Sequence, residues 1–203
     1  MAKIDYKKEY KELYTGKKDK PVFVEVPDFN YLMIDGKGNP GTSREFEQAV
    51  EALYGTAYTM KFMVKKDNPE KDYTVMPMEG LWWAEDMNAF KENKKDDWLW
   101  TIKILQPNFI SENDFNEAVS AIKQKKDLPA LPKLRFEKFP GYKAAQILHI
   151  GPYDQEGPTI EILHNFIFES GFQLEGKHRE IYLSDPRRAA PEKLKTIIRQ
   201  PYK

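Results

Sequence analysis

The chain has 203 residues, 40% of them apolar and 13% aromatic, enough to build one large domain or two small fused ones. Lys and Arg together number 32, as do Asp and Glu, so the formal net charge is zero and nothing calls for nucleic acid as a partner. The absence of cysteine excludes disulfides, thiolate zinc sites and cysteine nucleophiles; with no signal-like N-terminus and no run of about 18 apolar residues, the expected location is cytoplasmic, with no membrane contact.

Residues 1–20 form a lysine-rich lead-in, too short to hold a DNA-binding helix-turn-helix. The stretch from Pro21 to Val26 reads as an exposed strand whose edge could pair with a second copy, leaving monomer and homodimer both open. Asp35 to Gly41 is glycine-rich but lacks the Lys-Ser/Thr ending of a phosphate loop, so it reads as the turn into a helix. That helix carries Phe46, Val50, Leu53, Tyr54 and Ala57 at three- and four-residue spacing, with Thr42 and Glu45 as its expected capping box. Strand-like runs follow at Tyr73 to Trp83 and Trp98 to Leu105. A second helix is expected from about Ser111 to Lys125, with Ser111 and Asp114 at capping spacing. The basic runs Lys94-Lys95 and Lys123 to Lys126 are flanked or interrupted by acidic residues and read as solvated faces.

Beyond the proline-punctuated segment Asp127 to Pro132, the pattern repeats. Pro27, Phe29, Ile34 and Gly38 match Pro140, Tyr142, Ile147 and Gly151 at one constant offset. A helix with Ile160, Leu163, Phe166 and Ile167 on one face then runs to a stop at Ser170-Gly171. Strands at His178 to Leu183 and Leu194 to Arg199 close the chain, the last echoing Leu99 to Pro107. The order is strand-strand-helix-strand-strand, twice. This predicts an α+β fold of two halves, 21–110 and 133–203, joined by 111–132 into a single domain over 21–203. One helix per half leaves one sheet face bare, so a ligand cleft is expected on the uncovered face at a pseudo-two-fold axis.

Alternation sorts the candidate residues. Trp98, Trp100, Ile102 and Ile104 share one side of their strand, and Leu99, Thr101 and Lys103 the other. Met76, Met78, Gly80 and Trp82 likewise share a side, with Trp83 next to them. All four tryptophans therefore lie on two strands of one half, as ordinary core or as the aromatic wall of a pocket for a flat ligand. In the second half, Glu180 and Tyr182 face away from Ile181 and Leu183. Glu180 is either on a solvated edge or in a cleft. In an apolar cleft its pKa would rise, fitting it to act as a general base or acid or as the counter-ion of a cation. His149, His164 and His178 fall in no nucleophile-elbow or metal-ligand spacing and read as structural or exposed, so neither metal nor cofactor is expected.

The stretch Pro140 to Tyr153, the strand Glu180 to Pro186 and the tail Lys193 to Tyr202 resemble the GyrI-like superfamily of small-molecule-binding domains. The combination of Glu79-Gly-Leu-Trp-Trp83, Trp98-x-Trp100 and Gln106 to Ile110 resembles a stand-alone branch that includes cyclopropanoid hydrolases. The resemblance implies a duplicated βαββ (GyrI-like/SOUL-type) fold with a central ligand cleft. It also implies a small-molecule partner: a flat, aromatic xenobiotic that is bound or, in that branch, hydrolysed by opening its cyclopropane ring. By carry-over, Glu180 orients water, Tyr182 assists it, and Trp82, Trp83, Trp98 and Trp100 are stacking walls, with Met76 and Met78 beside them. Tyr54, Tyr142 and Tyr153 are alternative assisting or lining tyrosines. A non-catalytic drug binder, or an effector-sensing domain working with a separate transcription regulator, is the other reading.

Overall fold

The computed structural model describes residues 3–85 and 94–203. The chain divides into two compact units interleaved in sequence: Met1–Tyr6, Phe29–Met78 and Trp82–Phe139 in one, Lys7–Asp28, Glu79–Leu81 and Pro140–Lys203 in the other. A single helical turn, α1 (Tyr6–Glu9), precedes the first strand, and β3 (Met78–Trp83) supplies residues to both units.

In the first unit, β2 (Phe29–Lys37) runs antiparallel between β4 (Leu99–Gln106) and β5 (Arg135–Phe139). Its register sets Gly36 across from Trp100, Ile34 from Ile102 and Leu32 from Ile104. Cross-strand partners project from the same face, so these pairs form one apolar stripe. Helix α2 (Arg44–Asp67) packs there, burying Ala49, Ala52, Leu53, Ala57 and Met60. The helix starts one residue later than its sequence predicts: the Ser43 hydroxyl, not Thr42, accepts the Phe46 N–H. At α3 (Glu112–Lys123) the expected box does form, Ser111 and Asp114 capping each other reciprocally. On the opposite sheet face Lys103 is fully buried, its ammonium lying 3.6 Å from the centre of the Tyr31 ring and 4.5 Å from that of Phe139.

In the second unit, β6 (Tyr142–Ile150) pairs with β1 (Val22–Val26) on one side and β8 (Lys195–Pro201) on the other, with β7 (His178–Tyr182) beyond β8. Ala145, Ile147 and Ile198 of this sheet close a core with Leu163 and Ile167 of α4 (Gly157–Glu169).

Strands adjacent in sequence do not pair at the start of either half. β1 joins β6 and β5 joins β2, so neither β1–β2 nor β5–β6 is a paired ladder. The short connections that could have closed those hairpins hold Pro27-Asp28 and Pro140-Gly141. A Cβ on Gly141 would lie 2.8 Å from the Val26 carbonyl oxygen and 3.1 Å from the Asp28 nitrogen. Backbone meets backbone here, and only glycine leaves room.

The lead-in is also more than a tail. Leu13 and Tyr14 are buried, and Arg199 donates to the Leu13 carbonyl (2.6 Å) and to Gln146 Oε1 (2.9 Å). Gln146 in turn donates to the carbonyls of Glu12 (2.8 Å) and Thr15 (3.1 Å), fastening the segment to the face opposite α4. Lysine content hid this because the anchoring groups are backbone carbonyls.

Candidate functional site

Strand β7 has the sequence His-Arg-Glu-Ile-Tyr, so His178, Glu180 and Tyr182 project from one face and Arg179 and Ile181 from the other. Glu180 stands across from Ile198 and Tyr182 from Thr196. Since Ile198 packs against α4, the three polar side chains stand on the helix-bearing face of their unit.

Both oxygens of Glu180 are engaged. Tyr182 donates its hydroxyl to Oε2 at 2.6 Å, and His178 donates from Nε2 to Oε1 at 3.1 Å. The side chains of Glu180 and His178 are 13% and 16% exposed, so the cluster is nearly but not fully closed. Tyr153, in the 3-10 turn before α4, sets its ring perpendicular to that of Tyr182 at 5.6 Å.

A second carboxyl group completes the cluster. Glu156, in the residue just before α4, is 4% exposed. Burial, and then the charge of Glu180, push its pKa up to about 10. Glu180 moves the other way: burial would raise it, but hydrogen bonds and charge from His178, with hydrogen bonds from Tyr182 and Glu156, hold it below the ordinary glutamate range. The rise that an apolar cleft would give Glu180 thus falls on its neighbour, as it does when two close carboxyl groups cannot both ionise.

The other two histidines of this unit keep fixed roles. His149 donates from Nε2 to the Pro152 carbonyl (3.2 Å), and its Nδ1 shares a hydrogen bond with the Thr159 hydroxyl (2.9 Å). His164 is pushed below its ordinary pKa by burial and then by His178.

The remaining predicted residues fall elsewhere. Tyr142 lies on the opposite face of this unit, under the Arg179 guanidinium at 3.7 Å. Glu79 and Tyr14 are buried in that region, where burial and then Glu79 raise the Tyr14 hydroxyl.

The tryptophans belong to the first unit. Phe46 of α2 gathers Trp100 (5.1 Å, perpendicular) and Trp82 (6.0 Å), and Trp98 sits edge-on to Trp82 at 6.0 Å. Trp100 is fully buried, and a Cβ on Gly36 would overlap its six-membered ring, so Trp100 is core. Met76 is buried as well, whereas Trp83, Trp98 and Met78 are half-buried. Tyr54 accepts the Met78 N–H (3.3 Å) and starts a stacked row with Tyr58 and Phe62 along α2.

Of the expected residues, then, Glu180, Tyr182 and Tyr153 come together, as do Trp82, Trp98 and Trp100, each set in its own unit. The sequence reading missed Glu156 and Thr196 and left His178 without a role. The His-x-Glu-x-Tyr alternation held the signal for His178. Glu156 sits in a loop and has no local signal. Among the described residues no group of three or more His, Asp or Glu is placed to hold a metal, and no helix is long and apolar enough to cross a membrane.

Comparison with known proteins gives this arrangement a family. Residues 19–203 match the GyrI-like small molecule binding domain, and the chain belongs to that family. A crystal structure of an uncharacterized conserved protein from Listeria innocua is 40% identical, with a TM-score of 0.90, covering 99% of this chain and 100% of that one. A hydrolase from Listeria innocua is 38% identical, with a TM-score of 0.85 and the same coverage. The C-terminal domain of EcmrR shares the fold at 14% identity and a TM-score of 0.55, covering 91% of this chain and 97% of that one. No curated protein matches the chain.

Proposed function

We propose, with GyrI-like membership as the premise, that this protein binds flat, largely apolar aromatic compounds and hydrolyses cyclopropane-bearing, DNA-alkylating ones. The observation that carries the reading is the Glu180 carboxylate, held ionised between Tyr182 and His178, in a chain 38% identical to a Listeria innocua protein called a hydrolase. In the reaction, Glu180 orients a water molecule and takes up its proton as the oxygen bonds to a ring carbon. The strained carbon–carbon bond breaks, and its electron pair passes through the conjugated system to a carbonyl oxygen, which is then protonated. The net change is addition of one water. A carboxylate held below its ordinary range is a weaker base, so it contributes mainly orientation and charge, while ring strain drives the bond-breaking.

Trp83 and Trp98 are the ring faces we assign to stacking in the first unit, and Trp100 keeps a core role. We also read β2-α2-β3-β4 and β6-α4-β7-β8 as two copies of one βαββ motif, a reading supported by their identical order.

A second reading, non-catalytic binding of a cationic drug, draws on the same depressed Glu180, which suits a counter-ion at least as well as a base. Mass spectrometry of the compound after incubation separates the two. Hydrolysis adds one water to many equivalents per protein, and simple binding returns the compound unchanged.

A further inference from the structure

We propose that Glu156 and Thr196 hold a water molecule beside Glu180, and that this is the water the site adds to its substrate. The use of that water in the reaction rests on the hydrolase reading above; its place in the fold does not.

Strand pairing lays one polar row across the helix-bearing face of the second unit. Thr196 of β8 stands across from His149 of β6 on one side and from Tyr182 of β7 on the other. The turn before α4 lies over that row and meets both of its ends. Its Pro152 carbonyl accepts from His149 Nε2 (3.2 Å), and its Tyr153 ring stands 5.6 Å from that of Tyr182. Glu156 closes the same turn, its N–H donating to the Tyr153 carbonyl (3.3 Å) and its carbonyl accepting the Ile160 N–H (2.9 Å). The backbone thus brings Glu156 and Thr196 into one layer between β8 and the start of α4.

Both side chains are shut away from solvent, Glu156 at 4% exposure and Thr196 at 0%. Glu156 Oε1 and Thr196 Oγ1 have no hydrogen-bond partner among the described residues. Their neighbours in the row are committed elsewhere, His149 to Pro152 and Thr159, and Tyr182 to Glu180 Oε2. Buried oxygens in this position are commonly satisfied by an internal water, which makes about three hydrogen bonds.

Glu180 is the third partner. It stands across from Ile198, two residues along β8 from Thr196, so Glu180 and Thr196 are diagonal neighbours on one face, about 7–8 Å apart. One water spans such a diagonal between a hydroxyl and a carboxylate. It accepts from the Thr196 hydroxyl and donates one proton to Glu156 Oε1 and the other to Glu180. The remaining lone pair forms the bond to the ring carbon as Glu180 takes up its proton. Burial and the charge of Glu180 keep Glu156 a neutral acid, so it accepts without drawing that proton away.

The test has two arms. In a high-resolution crystal structure of the native protein, one water should lie about 2.5–3.0 Å from both Glu156 Oε1 and Thr196 Oγ1. Thr196→Val, which exchanges the hydroxyl for a methyl group, should lose it, and Thr196→Ser should keep it. A dry space between the two oxygens, or a direct hydrogen bond joining them, overturns the proposal. The native crystal decides this by itself, so a variant that does not fold leaves the test standing.

The second arm follows turnover of a cyclopropane-bearing, DNA-alkylating aromatic compound by mass spectrometry. Thr196→Val should lower kcat by about 10- to 100-fold with KM unchanged, and Thr196→Ser should restore most of it. A merely structural role would change stability without that split. Full kcat in Thr196→Val overturns the part given to this water in the reaction. Absence of turnover in the native protein counts against the hydrolase reading alone, because the crystal decides the water site without a substrate.

Discussion

Tyr182 donates its hydroxyl to Glu180 across 2.6 Å from two positions further along the same strand, so one local alternation both holds the carboxylate and keeps it ionised. A hydrogen bond to a charged acceptor is short and strong, worth about 1.5–3 kcal/mol when its partner is buried. Tyr182→Phe should therefore destabilise the fold by that order in denaturant titration and raise the pKa of Glu180 in carboxyl NMR. An unchanged Glu180 titration would show that His178 and Glu156 alone hold it down.

Stability should depend on pH through Glu156. Its folded-state pKa, raised by burial to about 10, lies above that of the unfolded chain, so between the two values the unfolded state binds fewer protons. Stability then falls as pH rises through this window, with a slope of at most about 1.4 kcal/mol per pH unit. Glu180, lowered when folded, acts in a separate window: its stabilisation is lost only as pH drops below the ordinary carboxylate range. Relative to the native protein, Glu156→Gln should gain stability between about pH 5 and pH 9 in chemical denaturation, and parallel curves would contradict the assignment.

The tryptophans should separate by role. Trp100→Ala, which empties a fully buried site, should cost about 3–5 kcal/mol, and Gly36→Ala about 1–3 kcal/mol through overlap with the Trp100 ring. Trp98→Ala, at a half-buried position, should cost clearly less stability but weaken binding of a flat ligand, read by quenching of the remaining tryptophans. A large stability loss with unchanged binding would place Trp98 with the core residues.

The N-terminal segment should loosen when its anchor is cut. Gln146→Leu removes one acceptor from Arg199 and two donors to Glu12 and Thr15, so residues 10–20 should become the first site of limited proteolysis. Continued resistance there would mean that the apolar burial of Leu13 and Tyr14 holds the segment alone.

Local patterns in this chain were legible, and contacts that join distant residues were not. Alternation along β4 correctly set Trp100, Ile102 and Ile104 against Thr101 and Lys103, and the Ser111–Asp114 box formed as its spacing predicts. Glu180 and Tyr182 do share a face, because a strand's two-residue period depends on nothing beyond the strand. Which face it is depends on β8 and α4, and alternation alone left that open. The pairing of β1 with β6 and of β5 with β2 was hidden for a related reason, since ladder partners are chosen by segments distant in sequence. Glu156 is the sharpest case. It is buried, and nothing in the surrounding Asp154-Gln-Glu-Gly sequence marks a buried acid.

The most direct test of the central claim compares native protein with Glu180→Gln on one cyclopropane-bearing, DNA-alkylating aromatic compound, following product by mass spectrometry and binding by tryptophan quenching. The native protein should add one water to many equivalents, and the variant should still quench but lose turnover by about 100-fold, the scale of a reacting group that is no longer oriented. Full turnover in the variant would contradict the role given to Glu180, and no turnover in the native protein would make this a binding protein.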